Sequence, residues 1–219
     1  MALKRLMLIR PGETDWNLTG RWQGWVAAPL NEHGRLQVQR LANFIRNIGV
    51  NKLYSSDNRR AVDTAELLAQ QLGFAPIYDE RLRERSIGHW QGLILPEVRA
   101  WYPEEYAELT KNPDSYVIPG GESIKQVRER AMAALQDILA DAEKESGNLT
   151  VAVISHTTAI RSMLAALVPS VDLSQTSFGN TSVTSLAQDS NGWRLVMAND
   201  YTHLEGLEAR YMPEVEAKE

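Results

Sequence analysis

The amino-acid sequence predicts an α/β fold: a three-layer sandwich with a mostly parallel central sheet and helices on both faces. Residues 149–155 (LTVAVIS) form a continuous apolar run rich in β-branched residues, which is typical of a central parallel strand. Residues 4–9 (KRLMLI) predict a second buried strand. The predicted strands alternate with helical patterns, and that alternation favours helices packed on both faces of a sheet.

The remaining elements are predicted from periodicity and from capping residues. In chain order they are a helix that begins after Asn31 and ends near Gly49, a strand at 52–55, a helix at 58–72, a helix at 123–145, a helix that follows Ser155, and a hairpin formed by 182–187 and 192–198.

Two segments depart from this alternation. Residues 92–120 contain prolines at four positions and several aromatic residues, so we interpret them as a lid or insertion of short helices and loops. The acidic tail, 205–219, is expected to be poorly ordered. Because the sequence shows no repeat and no linker, we expect a single domain over 1–219.

Composition excludes several classes of function. The 219 residues include no cysteine, which excludes disulfides, thiolate metal sites and cysteine nucleophiles. A net charge of −5 argues against nucleic acid or an anionic membrane as partner. The first residues, MALKRLMLIRPGE, predict a strand and no signal peptide, and no apolar run is long enough to span a bilayer. We therefore expect a cytoplasmic protein, and whether it forms a homodimer is left open.

Polar residues follow three predicted strands, at the edge where open α/β sheets bind ligands. Each residue alone has an ordinary explanation as a surface ion-pair partner or a helix cap. Together, two arginines, a histidine and a helix N-terminus on one edge predict an anion site, most naturally for phosphate. The residues concerned are Arg10, Glu13, Thr14 and Asn17 after the first strand, Ser55, Ser56, Asp57, Arg59 and Arg60 after the second, and Ser155, His156, Thr157 and Thr158 after the third.

Seven motifs in order resemble the landmarks of the histidine phosphatase (phosphoglycerate-mutase-like) superfamily. The resemblance extends from residue 4 to about residue 200. The motifs are RPGETDWN, GRWQGWVAAPLNEHG, YSSDNRRAVDTAELLA, LRERSIGHWQGL, PGGES, VISHTTAIRSML and NTSVTSL.

The resemblance implies a role for each matching residue. In the family, a histidine after the first strand attacks phosphorus; Pro11 stands at that position here. Arg10 and Arg60 match the arginines that hold the phosphoryl oxygens, His156 matches the second histidine of the pocket, and Glu84 matches the acid that protonates the leaving oxygen. Further phosphate or substrate contacts are implied for Asn17, Gln23, Gly24, Thr157 and Thr158, although a Gly-Asn or Gly-Gly pair usually stands where Thr157 and Thr158 stand.

Proline has no ionisable group and no lone pair for attack, so the phosphohistidine route is expected to be lost. Phosphate binding is expected to survive. Three explanations compete: a natural pseudoenzyme that binds a phosphate ester or a partner, a phosphatase impaired by an introduced or accidental substitution, and an active phosphomonoesterase that uses His156 or an activated water. A partner-binding scaffold is a further alternative.

The segment 92–120 also bears on the choice between mutase and phosphatase. It is short and has only Arg99 and Lys111 as basic residues, which resembles the phosphatase branch. The expected ligand is a small phosphorylated molecule or inorganic phosphate. The aromatic residues of segment 92–120 are candidates for a wall against an organic leaving group, with simple packing as the alternative. They are Trp101, Tyr102, Tyr106 and Tyr116. No metal and no cofactor are expected, because no His or carboxylate pair has ligand spacing.

Overall fold

A computed structural model describes residues 4–145, 147–172 and 176–207. Six strands form one sheet in the order β3-β2-β4-β1-β5-β6. The strands are β1 (Lys4–Ile9), β2 (Lys52–Ser55), β3 (Ile77–Tyr78), β4 (Thr150–Ile154), β5 (Val183–Asp189) and β6 (Gly192–Asp200). Strands β3, β2, β4 and β1 are mutually parallel, whereas β5 and β6 are antiparallel to their neighbours. The predicted α/β fold is confirmed, with a mixed sheet.

Seven helices surround this sheet in the described part of the chain. They are α1 (Asp15–Leu18), α2 (Glu32–Arg46), α3 (Arg59–Leu72), α4 (Leu95–Trp101), α5 (Pro103–Lys111), α6 (Ile124–Glu143) and α7 (Thr157–Leu167). Local sequence sets several of their ends. The Asn31 side chain accepts from the Gly34 N–H at 2.7 Å, Ser123 and Gln126 form a capping box, and Gly73 ends α3 with a φ of 80°.

Each face of the sheet carries its own apolar core. Helices α2 and α3 pack on one face through side chains such as Val38 and Leu68, against Met7 and Ile9 of β1. Helices α6 and α7 pack on the other face, with Leu135 and Met163 among the buried side chains. The three-layer arrangement therefore follows from strands that are apolar on both faces.

The predicted lid segment, 92–120, contains α4, α5 and a loop. Its apolar side chains form a third, smaller cluster around the fully buried Trp90, with Val98 and Ile118. Of the predicted tail, 205–207 form a turn, and 208–219 lie outside the described residues. No helix among the described residues combines the length and apolar character that a bilayer span requires.

Helix α2, which follows β1 and the short α1, packs on one face of the sheet, and helix α7, which follows β4, packs on the other. Since β1 and β4 are neighbours, a crevice opens between them at their carboxyl ends. The backbone hydrogen bonds between the strands continue to this edge. The Ser155 N–H donates to Ile9 O at 3.0 Å, and the Ser56 N–H donates to Ile154 O at 2.9 Å. The ends of β1, β4 and β2 are thereby brought side by side.

Gly34 lets α2 approach the loop after β1. A Cβ there would overlap the carbonyl oxygen of Glu13 and lie 2.7 Å from its nitrogen.

We expect Gly34→Ala to lower the free energy of unfolding by about 1–3 kcal/mol, because backbone atoms must move to make room. Urea denaturation measures the change. Gly179→Ala is the control, since its Cβ would meet only Tyr201 at 3.8 Å, and we expect a change within about 0.5 kcal/mol. Equal losses in the two variants would contradict the prediction.

Candidate functional site

The ten residues to which the family resemblance gives a role all line a single open pocket with a volume of about 870 Å³. Of the other residues predicted at the strand ends, Glu13 also lines the pocket, whereas six do not: Thr14, Ser55, Ser56, Asp57, Arg59 and Ser155. The pocket lies at the carboxyl ends of β1, β2 and β4, and α4 and α5 form its outer wall. The ten are Arg10, Pro11, Asn17, Gln23, Gly24, Arg60, Glu84, His156, Thr157 and Thr158.

Two buried guanidinium groups define the floor of the pocket. Arg10 and Arg60 are 7% and 6% exposed. Arg10 Nη1 donates to the carbonyl of Phe178, and Arg60 Nη2 donates to the carbonyl of Gly24 at 3.1 Å. Arg60 Nη1 is buried and finds no hydrogen-bond partner among the described residues. A buried donor without a partner is costly, so this N–H group is suited to a ligand oxygen.

The pKa of Arg60 is lowered to about 10, chiefly by burial; the negative charge of Glu84 opposes this effect, and the positive charge of Arg10 adds to it. The effect of Arg10 shows that the two cations lie near each other. Burial of like charges is unfavourable unless a negative group compensates them. The electrostatics of the floor therefore favour an anion.

His156 is the residue before α7, and it is 3% exposed. Its Nε2 lies 2.9 Å from Ser56 Oγ. Burial lowers the pKa of His156 well below its usual value, and the charges of Arg60, Arg10 and Arg130 add to the effect. The imidazole is therefore neutral near pH 7, and it offers a hydrogen bond to a ligand without adding a third charge.

Glu84 approaches the pocket from an irregular segment between two short 3-10 turns. Its Oε2 accepts from the Thr158 N–H at 3.3 Å, at the N-terminus of α7, and its Oε1 accepts from the Arg85 N–H at 2.7 Å. The carboxylate thus lies at the N-terminus of α7, near enough to Arg60 for its negative charge to raise the pKa of that guanidinium. That is a suitable position for proton transfer to an ester oxygen.

Pro11 is buried at the carboxyl end of β1. Its carbonyl oxygen accepts from Asn180 Nδ2 at 3.1 Å and from the Thr181 N–H at 3.2 Å. The next residue is also fixed, because the Gly12 N–H donates to Thr64 Oγ1 at 3.1 Å. The backbone at the predicted nucleophile position is held from both sides, while its side chain offers no reactive group.

The family is decided by comparison with known proteins. The model of the histidine phosphatase superfamily (branch 1) matches residues 6–201. The chain belongs to this superfamily.

Relatives in the superfamily carry phosphatase and mutase-like names. Phosphoserine phosphatase 1 from Hydrogenobacter thermophilus is 34% identical over 171 residues, which cover 78% of this chain and 79% of that protein. Phosphoglycerate mutase-like protein 4 from Arabidopsis thaliana is 35% identical over 204 residues, 91% of this chain and 86% of that protein.

A solved structure adds a ligand. A phosphoserine phosphatase from Entamoeba histolytica, determined as a His-to-Ala mutant in complex with phosphoserine, matches with a TM-score of 0.78 and 26% identity. The match covers 92% of this chain and 99% of that one.

Several residues at the histidine phosphatase pocket were given no role by the sequence motifs. Arg85, Arg161 and Asn180 all line it. Arg161 lies one turn after Thr157 on α7, so helical spacing was a usable signal, whereas Arg85 and Asn180 are placed there by loops.

Of the four lid aromatics, only Tyr106 lines the pocket; Trp101 is 61% exposed. Tyr102 and Tyr116 pack on the Trp90 cluster, which matches the packing alternative for those two.

The lowered pKa of His156 gives a test by NMR. We expect the His156 ring signals to stay constant from about pH 8 to about pH 6, because burial and neighbouring arginines keep the ring neutral over that range. Arg60→Met should raise the pKa of His156, since it removes the largest of the three arginine charges that lower this pKa. A midpoint near pH 6.5 in the unaltered chain would contradict this electrostatic description.

Proposed function

We propose that this chain binds a phosphate ester in the Arg10–Arg60 pocket and that hydrolysis of the ester is abolished or strongly impaired by Pro11. The observation that carries the proposal is the buried Nη1 of Arg60, which has no hydrogen-bond partner within the described residues. Arg60 lines the pocket together with a second buried arginine, Arg10. A phosphate dianion would supply the missing acceptor, and its negative charge would lower the repulsion between the two arginines.

Two further groups support a phosphate rather than an arbitrary anion. The N-terminus of α7 borders the pocket with Thr157 and Thr158, where the helix dipole favours an anion, and neutral His156 adds a hydrogen-bonding ring. Tetrahedral oxyanions offer enough oxygens to meet Arg10, Arg60, His156 and a helix N-terminus together. A related phosphatase in which alanine replaces one histidine holds phosphoserine, so loss of a histidine is compatible with ester binding in the family.

The volume of the pocket supports an ester with an organic group. About 870 Å³ is far more than a phosphate fills. The outer wall is largely apolar, and its members from the lid are Ile94, Leu95, Tyr106 and Leu109. We propose that the phosphoryl group lies on the arginine floor and that the leaving group lies against this wall.

Pro11 separates binding from covalent catalysis. Proline cannot accept a phosphoryl group, so the two-step route through a phosphoryl-enzyme is closed. Glu84 still lies where it can donate a proton to a leaving oxygen while water attacks phosphorus directly. We expect that route to be slow, because a positioned nucleophile contributes several powers of ten. His156 is the less favoured replacement nucleophile, since its Nε2 is already within hydrogen-bond distance of Ser56.

Anion binding is tested by thermal unfolding. We expect millimolar phosphate to raise the Tm of the native chain, with about 2.7 kcal/mol of stabilisation at roughly 100 times Kd. Arg60→Met should remove most of the shift. Arg59→Met is the matched control on the same helix, because Arg59 is exposed and pairs with Asp63 at 2.8 Å. No shift in the native chain, or equal shifts in all three proteins, would contradict phosphate binding.

Hydrolysis is tested by restoring the histidine. We expect the native chain to release phosphate from p-nitrophenyl phosphate at close to background and Pro11→His to exceed it by at least about 10³-fold, because the histidine provides the nucleophile. Pro11→Ala is the control that removes the proline ring without adding a nucleophile, and it should stay near background. Robust turnover by the native chain or by Pro11→Ala would favour the water or His156 route instead.

A further inference from the structure

Arg130, on α6, donates all five of its N–H groups to one region of the chain. Its Nε and Nη2 donate to the two carboxylate oxygens of Glu122 at 2.8 and 2.9 Å. Nη1 donates to the carbonyl oxygens of Arg81 and Arg83 at 2.8 and 2.7 Å, and Nη2 also donates to that of Glu84 at 2.8 Å. No donor of this guanidinium remains for another partner.

Glu122, just before α6, binds the same segment from its other end. Its carboxylate accepts from the Ser86 N–H at 2.8 Å. Its backbone N–H donates to Ser86 O at 2.8 Å, and its carbonyl oxygen accepts from Arg85 Nε at 2.7 Å. Side chains of Arg130 and Glu122 are 17% and 16% exposed, so the pair is shielded from water and salt.

The segment 83–86, which carries Glu84, lies outside the helices and strands. The Glu84 N–H donates to Asn58 Oδ1 at 3.2 Å, and its carbonyl oxygen accepts from both Arg130 and Trp25 Nε1, the latter at 2.6 Å. The backbone position of Glu84 is therefore set by side chains from distant elements. Because an acid must lie within hydrogen-bond reach of the oxygen that it protonates, a small shift of this backbone would remove the carboxyl from that position.

We infer that Arg130, oriented by Glu122, is a positioning residue that holds the Glu84 carboxyl at the leaving-group side of the pocket. The inference rests on the proposed function, in which Glu84 donates the proton. Arg130 does not belong to the phosphate site itself, because its charge is paired with Glu122 and its donors are all engaged. It acts on proton donation through the backbone of residues 81–84.

The planar guanidinium is essential to this role. Three carbonyl oxygens and a carboxylate are met by one rigid group with five donors, whereas a lysine ammonium is a point charge with three. Arg130→Lys keeps the charge and loses the geometry, so it separates the positioning role from electrostatics. Arg128→Lys is the matched control, since Arg128 lies on the same helix and forms an exposed bidentate pair with Asp114 at 2.7 and 2.8 Å.

The first experiment uses the Pro11→His protein and two substrates. Glycerol 2-phosphate has an alkoxide leaving group that needs a proton, whereas p-nitrophenolate leaves without one. We expect Arg130→Lys to lower kcat for glycerol 2-phosphate by about 10²-fold, with KM unchanged, and to lower kcat for p-nitrophenyl phosphate by less than about fivefold. Glu84→Gln should give the same pattern, and the double variant should be no slower than Glu84→Gln alone. Arg128→Lys should leave both substrates unaffected.

The second experiment uses the native chain and needs no turnover. Trp25 Nε1 donates to the same Glu84 carbonyl that Arg130 holds, so the indole N–H signal of Trp25 in NMR reports the position of this backbone. Arg130→Lys should shift that signal, Arg128→Lys should not, and the phosphate-induced rise in Tm should persist in both.

The two experiments distinguish failure of the inference from failure of the proposed function. Equal losses of kcat for both substrates, or an unshifted Trp25 signal, would overturn the positioning role. If Pro11→His shows no turnover, the proposed function fails in its catalytic part and the Trp25 signal alone decides the role of Arg130. A lost Tm shift in Arg130→Lys would also overturn the inference, because it would place Arg130 in anion binding.

Discussion

Two guanidinium groups, those of Arg10 and Arg60, are buried near each other at the carboxyl edge of the sheet, and the geometry of the pocket depends on them. Like charges in a shielded site repel, and the partly exposed Glu84 partly offsets the effect of burial on Arg60. The parallel strands β1, β4 and β2 place the groups around them: residue 11, His156 and Ser56. A bound anion would lower this repulsion, and we therefore propose anion binding as the property that this architecture retains.

In the function that we propose, binding and covalent chemistry depend on different parts of the site. Anion binding needs two arginines, a neutral histidine and the start of α7, all fixed by the sheet and by buried hydrogen bonds. Covalent transfer needs one side chain, at residue 11, where proline stands. Proton donation needs a third part, the irregular segment that carries Glu84, and that segment is held by α6 and Trp25 instead of by the sheet. Each part can therefore be lost without loss of the others.

Much of the fold and most of the site could be predicted from the sequence. Continuous apolar runs specify β1 and β4, and the rule that ligands bind at the carboxyl ends of parallel strands places Arg10 and His156 together.

Short elements were missed: the two residues of β3 and the four of α1 are too few to show a period. The Arg130–Glu122 pair was also missed, because its contacts join loop carbonyls to a helix across 46 to 49 positions, and no local pattern encodes such contacts. His203, for which no role was predicted, lies with its Nε2 3.0 Å from Thr181 Oγ1 and so contacts the residue whose N–H donates to the Pro11 carbonyl.

The most direct test of the central claim is a crystal structure of the native chain with a slowly hydrolysed phosphate ester. The account predicts the phosphoryl group between Arg10, Arg60 and His156, one oxygen accepting from Arg60 Nη1, the organic group against the apolar outer wall, and no covalent bond between phosphorus and the protein. A phosphoryl group bonded to His156, or an ester bound away from the two arginines, would contradict it.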